Sequence, residues 1–446
     1  MYEWSDEQLM VQGAVRDFVE KEVKPHVEEL EHGDLPPYDI LRKLFATFGM
    51  DAMAKAGFEK RIAKEKAIAA GEVPAAIAAG EVPAAIAAGE VPAAIAAGEE
   101  PAAIAAGVTD DPDGGGGGAG AAFTMIPIIE LCRYCPGMVT AMGVSMGLTA
   151  AAIMSKGTIA QKQRWALDLL TMDKIGAWAI TEPGSGSDAF GGMRSSAKRD
   201  GDEYVLNGSK TFITNGPYAD TIVFICKLDE ADGTPIESRK VVSFVLDKGM
   251  PGLEQGKPLR KMGMHSSPTG ELFLTDVRVG RDRLIGETEE PQGGGRSAHK
   301  ETFSMERTGV AAMALGIVEQ CLDLSVAYAK DRVQFGKPIG EFQLIQLKLA
   351  KMEVARLNIQ NLVFRQIEMS AAGRGMDLTE ASACKLYSAQ AAMEVALEAV
   401  QLFGGNGYMA EFHVEQLCRD AKVLQIYAGT DEIQVSQIAR NLLARA

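Results

Sequence analysis

The sequence has little cysteine, tryptophan or histidine, and a deficit of positive charge. Among 446 residues there are 6 Cys, 3 Trp and 5 His, and 45 Lys+Arg face 60 Asp+Glu, for a formal net charge of −15. Six cysteines in so long a chain do not make the dense disulfide framework of a small secreted domain, so we expect a reducing, cytoplasmic compartment. The acidic balance gives no electrostatic basis for binding nucleic acid or an anionic membrane.

Long apolar runs and metal-ligand clusters are also missing. The uncharged run at residues 135–155 contains Pro136, glycines and serines, which favours a buried helix over an integral membrane segment. Cys132 and Cys135 have CxxC spacing, but no second cysteine pair or nearby histidine completes a zinc tetrad. We therefore predict no metal site and expect these cysteines to pack inward.

The order of sequence patterns along the chain is helices, then strands, then helices. Apolar residues recur with helical spacing in the two outer parts, whereas residues 178–284 hold short β-rich runs separated by Gly, Asn and Pro turns. The pattern predicts helices over 5–31, 37–55, 303–330, 341–372 and 377–403. We expect an α+β multidomain protein with an N-terminal helical domain (1–176), a central antiparallel β-barrel or sandwich domain (177–290) and a C-terminal helical domain (291–446).

A nine-residue unit is repeated four times within residues 71–106, three times as GEVPAAIAA and once as GEEPAAIAA. Each unit is too short for a stable isolated helix, and a glycine run at Gly114–Gly118 follows. We predict that residues 67–122 form an insert on the surface of the N-terminal domain. The alternative is that the repeat is the functional part of an interaction protein.

An ordered set of motifs carries the chemistry. They read WAITEPGSGSD (178–188), NGSKTFITNG (207–216), RVQFGKP (332–338), QLFGGNG (401–407), RDAK (419–422) and IYAGTDEIQ (426–434). This set closely resembles the acyl-CoA dehydrogenase family, from residue 5 to about residue 445 except for the insert.

The resemblance implies FAD as cofactor, a C-terminal four-helix bundle and a homotetramer. It also implies oxidation of a saturated acyl-CoA to the trans-2-enoyl-CoA, with electrons leaving to an electron-transfer flavoprotein. Carried over by position, the flavin-facing residues are Trp178, Ile180, Thr181, Gly186, Ser187, Phe212 and Thr214, with Thr430 and Glu432 nearby. Those meeting the adenosine diphosphate part from a neighbouring subunit are Arg332, Phe335, Gln401, Gly404 and Gly405. Core packing for the two phenylalanines, and a surface salt bridge for Arg332, remain the alternatives.

The catalytic base is the main departure from the common family pattern. Most members carry Glu where this chain has Ala428, whose backbone N–H the family uses to polarise the thioester carbonyl. A minority, including isovaleryl- and long-chain-type members, place the base on the helix that here contains Glu306. We therefore expect Glu306 to be the base. The alternatives are a solvated ion pair at Glu306, or Asp431 or Glu432 as the base.

The resemblance also implies substrate contacts at Ser187, Phe303, Ser304, Arg307, Tyr427 and Gly429. Ser304 stands where many relatives have Asp, and His265 where they usually have Arg, so part of the CoA contact is left open. The relocated base beside a small Ala428 favours branched or longer acyl groups. A flavoprotein of this fold with other or lost chemistry is the rival hypothesis.

Overall fold

The computed structural model describes residues 2–33, 35–71, 117–290 and 298–444. Side chains are described from residue 120 onward in the third range and from residue 306 onward in the fourth. The prediction of an inserted surface segment therefore falls almost wholly outside the described residues. At its two margins, residues 67–69 and 117–122 belong to helices.

The N-terminal helices follow the sequence signals, with two breaks. Ser5 caps the first helix in a capping box with Gln8. The predicted helix over 5–31 is interrupted by a π-helical turn and a 3₁₀ turn around Pro25, and the one over 37–55 by Gly49, whose φ is 65°. The helices are α1 (Asp6–Phe18), α2 (Val27–His32), α3 (Tyr38–Thr47), α4 (Met50–Ala69), α5 (Gly117–Leu131), α6 (Pro136–Gly143), α7 (Ala151–Lys156), α8 (Ile159–Gln161) and α9 (Leu167–Leu170).

Two apolar helical stretches have the length and mean hydropathy, 1.6, that membrane spans also show. They are Pro136–Lys156 and Glu306–Asp331, and 56% and 67% of the most apolar 18 residues of each are buried inside the protein. Burial of this extent is typical of core helices in a globular fold.

The central domain is a seven-stranded sheet. Its strands are β1 (Gly176–Ala179), β2 (Ser196–Asp200), β3 (Glu203–Thr214), β4 (Thr221–Asp229), β5 (Val241–Asp247), β6 (Leu253–Gln255) and β7 (Thr269–Gly280). Their order in the sheet is β1-β4-β2-β3-β7-β6, with β5 beside β4. The antiparallel expectation holds for four of the strand pairs, but β1 and β2 each pair with β4 in parallel. Parallel pairing needs a long crossover, and here other strands lie in sequence between the paired ones.

In its described residues, 298–444, the C-terminal domain consists of helices and one small hairpin. Asp377 caps a helix in a capping box with Glu380, close to the predicted start at 377. The elements are α10 (Ala298–Asp331), β8 (Val333–Gln334), β9 (Lys337–Pro338), α11 (Gln343–Ala371), α12 (Leu378–Phe403), α13 (Val414–Val423) and α14 (Asp431–Leu443).

The loop at residues 261–267 joins all three parts of the fold. Glu31 of α2 accepts hydrogen bonds from the backbone N–H groups of His265 (3.2 Å) and Ser266 (3.1 Å). Asp420 of α13 accepts one from the Met264 N–H. His265 itself lies at this junction, with Nε2 2.7 Å from the Lys261 carbonyl oxygen. Buried carboxylates paired with backbone N–H groups thus fix the β domain between the two helical parts.

Candidate active site

Glu306 lies on α10 and is only partly exposed. Burial raises the pKa of its carboxyl from the ordinary 4.5 to about 7, while the positive charges of Arg307 and Lys385 act in the opposite direction. A carboxyl whose pKa lies near neutrality is ionised in part and binds a proton readily, which suits it to general-base work.

Arg307 connects the helix of Glu306 with two other elements. Its Nη1 donates to Ser382 Oγ of α12 at 3.1 Å, and the side chain is buried. A Cβ placed on Gly429 would lie 3.8 Å from Arg307 Nη2, so the guanidinium faces the turn before α14. Among the described residues, Arg307 Nε has no hydrogen-bond partner. A buried guanidinium with a free N–H fits a polar or anionic ligand group.

The turn between α13 and α14 is made of two consecutive residues with positive φ. Ala428 has φ 54° and Gly429 has φ 84°. Thr430 caps α14 by accepting from the Ile433 N–H at 3.4 Å. Before the turn, Tyr427 Oη contacts Met313 Sδ of α10 at 3.2 Å, and burial raises the pKa of its phenol. The structure therefore brings Glu306, Arg307 and residues 427–430 to one place.

The rival carboxylates have other environments. Asp431 Oδ1 lies 3.4 Å from Lys385 Nζ and its Oδ2 accepts from Gln390 Nε2 at 3.2 Å. Glu432 is exposed, and hydrogen bonds from its own backbone and from Thr430 lower its pKa. Neither environment increases basicity as burial does at Glu306. Sequence reasoning missed Lys385, which lies outside the quoted motifs.

The motifs predicted to face the flavin meet at the end of β1. The Thr211 N–H donates to the Thr181 carbonyl (2.9 Å), and Lys210 Nζ donates to the Ile180 carbonyl (3.0 Å) and to Glu182 Oε1 (2.9 Å). Lys210 is fully buried, and burial lowers its pKa. The Glu182–Lys210 pair was not predicted, although both residues lie in the quoted motifs. A charged residue inside each of these two glycine-rich motifs was the sequence signal that could have indicated the pair.

The side chains at this edge expose an apolar and hydroxylated surface. Phe212 has φ 57° and is 68% exposed, because a register shift in the pairing of β3 with β7 falls between Lys210 and Ile213. Trp178 and Thr214 are half-buried, and Gly186 and Ser187 are exposed. An exposed aromatic ring beside a glycine-serine loop suits a large planar ligand with polar edges.

A second group lies at one end of the C-terminal helices. Phe335 is 95% exposed with φ 53°, and Arg332, Gln401, Gly404 and Gly405 are also exposed. Tyr328 of α10 holds the two loops of this group together. Its ring stacks on Phe403 at 4.1 Å, its hydroxyl accepts from Asn406 Nδ2 (3.0 Å), and its carbonyl accepts from the Arg332 N–H (2.8 Å).

The two groups have the chemistry that FAD requires. Exposed aromatic faces at Phe212 and Phe335 suit ring stacking, and the guanidinium of Arg332 suits a diphosphate because it donates in a planar fork. The remaining predicted substrate residues, Phe303 and Ser304, lie in α10 with side chains outside the described part of the chain.

The two cysteines with CxxC spacing lie in the interior of the protein. Cys132 and Cys135 are buried free thiols, and burial raises the pKa of both. This makes them poor nucleophiles and agrees with inward packing.

Fold and site together define a three-domain flavin-dependent oxidoreductase. Family models for the N-terminal, middle and C-terminal domains of acyl-CoA dehydrogenase match residues 5–101 with 102–173, 177–277 and 293–443. The chain belongs to the acyl-CoA dehydrogenase family, whose members are FAD flavoproteins, and it is an FAD-dependent oxidoreductase.

Relatives and solved structures agree with this assignment. The short-chain-specific acyl-CoA dehydrogenase of Megasphaera elsdenii is 39% identical over 72% of this chain and 82% of its own length. Butyryl-CoA dehydrogenase from Megasphaera elsdenii superimposes with a TM-score of 0.77 at 32% identity, over 99% of this chain and 100% of that one. A chain from the electron transferring flavoprotein structure of Acidaminococcus fermentans has a TM-score of 0.75 at 30% identity, over 100% of both chains.

Proposed function

We propose that the protein catalyses α,β-dehydrogenation of a saturated acyl-CoA thioester to the trans-2-enoyl-CoA, with Glu306 as the base. The observation that carries the proposal is the carboxyl of Glu306, raised in pKa to about 7 next to Arg307 and close to the turn that contains Ala428. No carboxylate stands at Ala428 itself, so the proton acceptor has to come from another element.

Each group of this site has a separate task. Glu306 accepts the proton from the carbon α to the thioester, and the Ala428 N–H donates to the thioester carbonyl oxygen, where negative charge develops. Bound FAD supplies the acceptor for the hydride that leaves the β carbon. Arg307 faces the turn on its Gly429 side and binds polar groups of the substrate.

The cofactor is held by residues of two subunits in this proposal. Residues 178–187 and 212–214 face the flavin, and the second group described above meets the adenosine diphosphate part from a neighbour in a homotetramer. Apolar side chains near the second group, which are exposed in the single chain, support an interface between subunits at this place. Phe335 is 95%, Leu344 75%, Leu347 52% and Val354 58% exposed. Such a set of exposed apolar side chains on one helix and its adjoining hairpin favours an interface between subunits.

The electron acceptor and the acyl group are further parts of the proposal. Electrons leave to an electron-transfer flavoprotein, a partner in line with the similarity to the Acidaminococcus fermentans chain. The methyl side chain of Ala428 leaves room beside the α carbon, which favours a branched acyl group over the butyryl group in the name of the Megasphaera relative.

Anaerobic titration of the flavin tests the function directly. Straight, branched and cyclic acyl-CoAs are added in turn, and bleaching of the flavin absorbance is followed together with formation of the 2-enoyl-CoA. We expect bleaching with at least one branched thioester. If no thioester in the panel bleaches the flavin, the chain has other or lost chemistry and the proposal is refuted.

A further inference from the structure

Gln434 is fully buried in the first turn of α14 and directs its side chain back onto the preceding turn. Its Nε2 donates to the Ala428 carbonyl oxygen at 2.9 Å and to the Gly429 carbonyl oxygen at 2.8 Å. One NH₂ group thus holds two successive carbonyls of the backbone that carries the proposed oxyanion donor. Only the amide nitrogen can face two carbonyl oxygens, since an amide oxygen there would be repelled by both.

The turn needs such a restraint because of its conformation. Ala428 has a Cβ and still adopts φ 54°, a region that is strained for residues other than glycine. Gly429 follows with φ 84°, and a Cβ there would lie 2.8 Å from Gln434 Nε2. Glycine at this position therefore gives the amide room to approach the backbone.

Both sides of the Ala428 N–H are fixed by hydrogen bonds. On the N-terminal side, the Tyr427 N–H donates to the Val423 carbonyl at 3.1 Å. On the C-terminal side, Gln434 holds the carbonyl of Ala428 itself. The φ angle of Ala428 is thereby set, and with it the direction of its N–H.

The second polar atom of the side chain is unused. Gln434 Oε1 is buried and has no hydrogen-bond partner among the residues that the structure describes. Burial of an unpaired amide oxygen costs stability. The two hydrogen bonds that Nε2 donates to the turn offset this cost.

We propose that Gln434 is a positioning residue of the reaction: its side-chain amide orients the Ala428 N–H toward the thioester carbonyl. The inference rests on the proposed function, because it needs a thioester at this N–H. It predicts that the amide acts on carbonyl polarisation and on the rate of proton abstraction, with little effect on how tightly the substrate binds.

The test uses the FAD-loaded protein with Gln434→Met, which removes both donors at similar length, and Gln437→Met as control. Gln437 is on the same helix, and among the described residues its amide donates to Asn441 Oδ1 at 3.1 Å. Complete loss of one oxyanion donor costs on the order of 10²–10³-fold in rate. Because Gln434→Met misorients the Ala428 N–H without removing it, we expect flavin reduction to slow by a smaller factor, about 10- to 100-fold. The control should stay within about twofold, and the Kd for acyl-CoA should change less than about threefold in both variants.

A spectroscopic readout separates positioning from a structural role. The infrared C=O stretch of bound enoyl-CoA, ¹³C-labelled at the thioester carbonyl, should move toward its free value in Gln434→Met and stay in place in Gln437→Met. In Gln434→Glu the introduced carboxyl keeps one donor only while protonated, so the stretch should become pH-dependent. This second variant decides the question if the first does not fold.

The possible outcomes are distinguishable. If the unmodified protein bleaches with acyl-CoA but both Gln434 variants keep its C=O frequency and rate, the positioning role is refuted and the proposed function stands. If the unmodified protein does not bleach with any acyl-CoA, the proposed function fails and this inference fails with it.

Discussion

Replacing Glu306 by Gln removes the proposed proton acceptor with almost no change in shape. The pKa of the carboxyl is raised from 4.5 to about 7, chiefly by burial, with Arg307 and Lys385 offsetting part of that effect. At about 1.4 kcal/mol per pKa unit, ionising this group in the folded protein costs about 3 kcal/mol more than in the unfolded chain.

The sign of the stability effect follows from this shift. The folded protein binds the Glu306 proton more tightly than the unfolded chain, so the protonated group favours folding fully below about pH 4.5. That contribution is lost as the pH rises to about 7 and remains lost above it. At pH 8 we expect Glu306→Gln to be more stable than the unmodified protein by up to about 3 kcal/mol.

Activity should change in the opposite direction. A general base contributes about 10²–10⁴-fold to a rate, so flavin reduction by acyl-CoA should fall by that factor in Glu306→Gln, with FAD still bound. In the unmodified protein the rate should rise with pH through a midpoint near 7, because only the ionised carboxyl accepts a proton. The variant should lack this midpoint.

Stopped-flow flavin reduction from pH 5.5 to 8.5, thermal melting and the FAD-to-protein absorbance ratio measure these effects. Glu319→Gln is the matched control, because Glu319 lies on the same helix and burial also raises its pKa to about 7. Its partner is Arg133 (3.5 Å), which lies outside the quoted motifs. It should gain stability at high pH without losing activity. Flavin reduction in Glu306→Gln within tenfold of the unmodified rate, or an unchanged pH midpoint, would refute the assignment.

Three further substitutions test the surroundings of the site. Lys385→Met removes a cation that lowers the pKa of Glu306, so the pH midpoint of flavin reduction should move upward. Glu182→Gln leaves Lys210 buried without its counter-ion, which should cost about 3–5 kcal/mol in the free energy of unfolding and reduce FAD retention. Ala428→Glu, added to Glu306→Gln, places a carboxylate where most of the family has one and should raise flavin reduction at least tenfold above the single variant.

Each of these three predictions can be refuted by a particular result. A downward or unchanged midpoint in Lys385→Met means that Lys385 does not act on the base. The prediction for Glu182→Gln is refuted if chemical denaturation gives an unchanged free energy of unfolding. The prediction for the double variant is refuted if its rate of flavin reduction is no higher than that of Glu306→Gln alone.

Local signals predicted the long helices best. The helix predicted at 377–403 is observed at Leu378–Phe403, because Asp377 supplies a cap and the apolar period is regular to the end. The helix predicted at 37–55 is divided by Gly49, whose positive φ the apolar pattern does not encode. The parallel pairs of the sheet were not predicted either, since they depend on which distant strands meet.

The same distinction applies to the site. The resemblance to the family pointed to Glu306, Arg307 and the turn at 427–430, and the structure brings Arg307 against that turn. The sequence did not identify Lys385, Ser382 or Gln434 as their partners, because these residues act across elements through burial and hydrogen bonds. Gln434 ends a quoted motif, but only its distances to two carbonyl oxygens give it a role.

The charges around Glu306 include a second carboxylate. Lys385 is fully buried and lies near Glu306, but its ammonium is also within 3.4 Å of Asp431. The positive charge of Lys385 lowers the pKa of Glu306, but burial is the larger effect and raises that pKa to about 7. Asp431, considered at first a rival base, is therefore a partner of the same lysine that acts on Glu306.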